Sequence, residues 1–182
     1  MNCFTVAILL ALGAMAFATN ANPNLETLRR VLSTNGKIWT IKRSYERYTG
    51  NEKHRCVFAE KINMENENYD FYQYYKYGTN PWVRHRLQGT LSGGEGSALL
   101  TVRQPAGSTE TTYTLVYWNE EKNCGILKFK NRTSDEEECE LHVGDSQLQQ
   151  NGETDCEHKY GTYCPGKDKH SVYEPSCRLE SP

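Results

Sequence analysis

The chain of 182 residues lacks the patterns that announce catalysis. There is no G-x-S-x-G, no H-E-x-x-H, no phosphate-binding glycine loop and no convincing pair of carboxylates, so an enzyme is not expected. Ser92-Gly93-Gly94-Glu95-Gly96 is rich in glycine. It falls between strands, without the lysine and following helix of a phosphate loop, and reads as a hairpin turn. Excess basic charge is also missing. The formal net charge of −2 argues against a nucleic-acid partner, whose footprint is a basic stripe. There is no C-x-x-C, and His54, His85, His142, His158 and His170 include no pair at ligand spacing. No metal and no cofactor is therefore expected. No long apolar run follows residue 18, so no membrane-spanning segment is expected in the body of the chain.

One apolar run does occur, at the start. Residues 1–18 carry no charged side chain and end in Ala16-Phe17-Ala18. Small residues at alternate positions after an apolar stretch read as a secretory signal peptide. A membrane anchor would need about 20 apolar residues and a basic flank. Cleavage after Ala18 or Ala21 leaves residues 22–182 as one secreted domain. Cys3 departs with the leader, and Cys56, Cys124, Cys139, Cys156, Cys164 and Cys177 remain. An even number of cysteines in a secreted chain implies a disulfide framework, with about 15 pairings open. Asn131-Arg132-Thr133 is a glycosylation sequon in an acidic loop. Tyrosine, at 12 residues against 5 phenylalanines, offers an apolar body with a polar tip for a binding cavity, and is also a good strand former.

Residues 24–32 place apolar side chains at 25, 28, 31 and 32, a helical spacing that Asn24 can cap. Asn35-Gly36 ends that helix. From residue 37 the period becomes two. Trp39, Ile41, Arg43 and Tyr45 share one face; Ile38, Thr40, Lys42 and Ser44 share the other. Further strands are expected at 54–64, 69–77, 82–91, 97–103, 111–118, 124–130 and 138–143, each followed by turn residues. On the 111–118 strand, Tyr113, Leu115 and Tyr117 share a face. Sequential strands with no intervening helix exclude a parallel α/β sheet. The expected fold is all-β, an eight-stranded antiparallel up-and-down barrel. Closure removes exposed edges and leaves room for one small ligand. In the tail, a brief helix is expected at 154–160, capped by Thr154 or Asp155 and stopped by Gly161. A last strand is expected at 170–173, and Cys177 would tie down the terminus.

The leading helix, the eight strands and the cysteine-tied tail resemble a lipocalin. More narrowly, the chain is similar to the salivary histamine-binding lipocalins of ticks. Their biogenic-amine signature runs Cys, acidic, aliphatic, a spacer, Glu-Leu-aromatic, a second spacer, Cys. Here Cys124-Gly125-Ile126 is followed after 13 residues by Glu140-Leu141-His142, and after 13 more by Cys156. Gly125 stands in the acidic position and His142 in the aromatic one. The resemblance spans roughly residues 24–177. It implies pairings Cys124–Cys156 and Cys56–Cys177, with Cys139 and Cys164 remaining for a third bond.

The resemblance also implies that Gly125, Leu127, Phe129, Glu140 and His142 face the cavity, with Ile126, Leu141 and Val143 outward. An amine site needs carboxylates for the ammonium and aromatic faces for the ring. Glu140 supplies a carboxylate; Trp39, Tyr45, Tyr113, Tyr117 and Phe129 are the candidate walls. Glu140 has a second reading, as the partner of Arg43 in an internal salt bridge, and the aromatics a second one as ordinary core. The ligand implied is a small host inflammatory mediator, by family default an amine such as histamine or serotonin, sequestered by a monomer. The alternatives are an acidic lipid (leukotriene or fatty acid) headed by Arg, His or Tyr, or a host defence protein such as a complement component met by the loops. Arg84 and Arg86 share a face of the 82–91 strand and read as solvated surface.

Overall fold

The computed structural model describes residues 22–104, 109–148, 154, 156–179 and 182; the leader expected at 1–18 lies outside them. The first helix, α1 (Leu25–Leu32), begins where Asn24 Oδ1 accepts from the Thr27 backbone N–H at 2.9 Å. It buries Leu28 and Leu32. The strands that follow are β1 (Ile38–Arg43), β2 (Tyr48–Thr49), β3 (Glu52–Glu65), β4 (Asn68–Tyr77), β5 (Val83–Gly94), β6 (Ser97–Arg103), β7 (Thr111–Asn119), β8 (Cys124–Lys130) and β9 (Glu137–Gly144). The tail holds α2 (Glu157–Tyr163), β10 (His170–Ser171) and α3 (Pro175–Leu179).

From β3 to β9 each strand pairs antiparallel with the next, and β1 bonds to both β9 and β3. Eight strands thus close into a barrel, while β2 and β10 are two-residue additions to β3 and β1. Closure leaves no long unpaired edge for another chain to pair with. The barrel separates two apolar cores. Inside, Ile38, Tyr69, Phe71, Leu91, Leu100 and Leu115 pack with Leu28 and Leu32 of α1, which plugs one end. Outside, Trp39, Ile41, Ile126, Leu141 and Val143 pack with Tyr160 and Tyr173 of the tail. This second core explains why β1, β8 and β9 carry buried apolar side chains on their outward face.

The tail departs from the sequence reading. Its helix starts at Glu157 and continues through Gly161 to Tyr163, and its N-cap is Cys156, which makes no side-chain cap bond. The Thr154 hydroxyl accepts a 3.3 Å bond from the Cys156 N–H, outside the helix. Packing of Tyr160 and the flanking cysteines outweighs the cost of the glycine. The last strand is cut to His170–Ser171, and α3 follows at Pro175. The strand expected at 82–91 runs on to Gly94, where Gly93 (φ 133°) takes a backbone that disfavours a side chain.

Three disulfides bind this tail to the barrel: Cys56–Cys177, Cys124–Cys156 and Cys139–Cys164. Cys56 sits at a bulge between Arg55 and Phe58 with φ 54°, where the strand can turn a side chain outward. Cys56 and Cys177 are separated by 121 residues, so this bond constrains the unfolded chain most. Replacing both by alanine should lower stability by about 2–5 kcal/mol, read as a fall in the urea midpoint against the parent protein.

Candidate ligand-binding site

The barrel encloses a cavity of about 320 Å³, at the lower end of the range for small-molecule sites. Its floor is α1, through Leu28, Val31 and Leu32, and its walls are largely apolar. At the opposite end it is lined by Arg47, Arg103, Gln104 and Thr109. Arg47 and Arg103 are both exposed, so the mouth carries two guanidinium groups.

Two bulges decide which side chains enter the cavity. On β1, Thr40 faces His142 and Lys42 faces Leu141, which leaves Ile41 as the extra residue. Strict alternation fails there. Ile38, Thr40 and Arg43 fall on the inner face, whereas Trp39 falls on the outer one. Trp39 is therefore not a cavity wall. It is fully buried in the outer core, its Nε1–H donating to Asp145 Oδ1 at 2.8 Å, with Phe58 and Tyr173 against its ring. On β7, Leu115 faces Leu127 and Tyr117 faces Ile126, so Val116 is extra. Tyr117 turns outward and packs on Tyr163 of α2. Trp118, which the sequence reading did not select, turns inward beside Gly125. Nothing in the residue alternation signals either bulge.

Glu140 and His142 line the cavity, as do Gly125, Leu127 and Tyr113. Glu140 does not stand free. Arg43 Nε donates to its Oε1 at 3.1 Å, Tyr45 Oη donates to the same oxygen, and His142 Nε2 lies 3.0 Å from Oε2. Arg43 and Glu140 are only 3% and 5% exposed, so the pair is screened little by water. Burial pushes the Glu140 carboxyl up, but the charge of Arg43, the hydrogen bond and charge of His142, and Arg47 outweigh it. They hold the group well below the usual carboxylate range. With the carboxylate ionised, the His142 Nε2 carries the proton it shares with it. Tyr113 is pushed up to about 12, first by burial and then by the negative charge of Glu140; Tyr45 is raised for the same two reasons. Phe129 packs between Tyr113 and Tyr45, at 4.9 and 5.3 Å between ring centres, at the level of the mouth.

Other candidates lie elsewhere. Arg84 covers the Tyr72 ring and Arg86 pairs with Asp70, both exposed and outside the cavity. Asn131 sits in the loop between β8 and β9, its Oδ1 accepting from the Thr133 N–H. Among the described residues Cys56, Glu174 and Cys177 come close enough to suggest a metal, but the two cysteines are joined to each other and offer no thiolate. No helix among the described residues is long and apolar enough to cross a membrane.

The tick histamine-binding protein model matches residues 17–179 of this sequence. The chain belongs to that family. Comparison with curated protein sequences gave no match. Among solved structures the chain is similar to AM182 in its serotonin complex, with TM-score 0.61 and 15% identity over 88% of this chain and 95% of the other. It is also similar to japanin from Rhipicephalus appendiculatus bound to cholesterol, with TM-score 0.53 and 16% identity over 76% and 93% of the two chains. At these identities the likeness establishes the family's lipocalin barrel and leaves the ligand open.

The Arg43–Glu140 pair yields a signed prediction. Arg43→Met strands a buried carboxylate and should cost about 3–5 kcal/mol at neutral pH. In the parent protein the depressed carboxyl contributes stability above its unfolded value of about 4.3, and loses it as pH falls through the acid range. In the variant, burial without a cation reverses the sign, and protonation then relieves the penalty. Urea midpoints measured from pH 7 to pH 4 should show the gap between parent and variant narrowing as the pH falls.

Proposed function

We propose that this protein is a secreted, non-enzymatic, monomeric lipocalin that sequesters one small host mediator in its barrel, thereby blunting a host defence. We infer further that the mediator is a mostly apolar molecule with an acidic head, an acidic lipid rather than an amine. The observation that carries this reading is that Glu140 is already paired with a buried cation. Its two oxygens already take Arg43, Tyr45 and His142. An incoming ammonium would meet a carboxylate whose charge Arg43 already neutralises, with that guanidinium repelling it, and Gly125 offers no second carboxylate. At the mouth Arg47 and Arg103 suit a carboxylate, and the apolar wall behind them suits a hydrocarbon body.

A biogenic amine is the second reading. The family supports it, as does the presence of Glu140 on the cavity wall, with Tyr113 beside it to stack on a ring. The open cavity weighs against a barrel that is filled and meets a host defence protein through its loops alone. The apolar leader supports secretion, and Asn131 is the proposed glycosylation site.

Calorimetric titration with leukotriene B4, a long-chain fatty acid, histamine and serotonin separates these readings. The acidic lipids should bind at micromolar strength or better, and the amines at least roughly ten-fold more weakly. Arg47→Gln with Arg103→Gln should weaken the lipids and reduce the salt dependence of their binding. Tighter binding of an amine reverses the ligand class, and heat from none of the four overturns capture of a small mediator.

A further inference from the structure

Trp118 is the last inward side chain of β7 before its turn, near α1 and the floor of the cavity. Its neighbours across the inner face are Gly125 on β8 and, one strand further, His142 on β9. Gly125 makes room for the indole. A Cβ at that position would come within 2.5 Å of Trp118 Cε3 and 2.4 Å of the Tyr117 carbonyl oxygen. Such contacts require the ring or the strand to shift, so the indole lies directly against the Gly125 backbone.

The ring placed there has its polar atom unused. Trp118 Nε1 is shielded from solvent and has no hydrogen-bond partner among the described residues. Buried indole N–H groups ordinarily find an acceptor, and each exception calls for a reason. Trp39, which is fully buried, obeys the rule through Asp145. In the same cross-strand row the cavity is lined by His142 on β9 and Thr40 on β1. His142 keeps its Nε2 on Glu140. The floor thus presents an unsatisfied donor to the cavity.

We propose that this floor is a hydrogen-bonding subsite. There Trp118 donates to a hydroxyl or carbonyl oxygen at the inner end of an apolar ligand. This inference rests on the reading that the cavity takes an apolar body with its acidic head at the mouth. It adds that the ligand is polar at its inner end as well. From Gly125 to Phe129, β8 runs four residues, about 13 Å, close to the length of a twelve-carbon chain.

The matched probes are dodecanoate and 12-hydroxydodecanoate, which differ only at the end remote from the carboxylate. Each is titrated against the parent protein and Trp118→Phe, which keeps the ring and removes the N–H. The parent should bind the hydroxy acid at least as tightly as dodecanoate, although an unmet hydroxyl in an apolar floor would weaken it strongly. Trp118→Phe should weaken the hydroxy acid roughly 3- to 10-fold and leave dodecanoate within about two-fold. Retained dodecanoate binding certifies that the variant is folded. If the substitution changes both probes alike, or the parent binds the hydroxy acid far more weakly than dodecanoate, the subsite is overturned while the acidic-lipid reading stands. If the parent binds neither acid, both fall together.

Discussion

Arg43 and Glu140 meet where the first and last long strands of the barrel close on each other. Their Cα positions face each other in the β1–β9 ladder, and both side chains are buried. Neither charge could sit there alone, because removing a single ion from water costs far more than a strand pairing returns. The pair therefore ties the closure of the fold to the electrostatics of the cavity. It consumes the one carboxylate that the sequence motif places inside, and it draws Tyr45 and His142 into the same cluster.

This gives the Glu-Leu element of the motif two consequences that a sequence comparison cannot separate. Leu141 belongs to the outer core and helps hold the tail against the barrel. Glu140, one residue away, faces the cavity and is committed to Arg43 before any ligand arrives. A relative can share both residues and still present a free acid if its first strand lacks the arginine. Family membership and barrel architecture are thus compatible with different ligand classes, and the inner face of each chain decides among them.

The tail is more than a lid for termini. Its disulfides leave from β3, β8 and β9 and join Cys177, Cys156 and Cys164, so the outer core is enclosed by covalent bonds as well as by Trp39, Tyr160 and Tyr173. That support lets the barrel keep its centre open. A cavity sacrifices packing inside, and the second core outside supplies apolar burial that an empty barrel lacks.

The order of elements was legible in the sequence because alternation, turn residues and a capped helix are local signals. Asn24 and the leucines of α1, the eight strand segments and the even cysteine count all act within a few residues of where they stand. The facing of Trp39, Tyr117 and Trp118 was not legible. Each lies next to a bulge, at Ile41 or Val116, and one extra residue reverses the inward set beyond it. Those bulges arise from how neighbouring strands accommodate one another around a closed sheet, which no stretch of sequence carries by itself. The same holds for α2 running through Gly161, where packing against the barrel overrides a local breaker. It holds also for Glu140. Sequence placed an acid and an arginine on inward positions, and only the tertiary register decided that they meet, because charge pairing depends on distance across strands 97 residues apart.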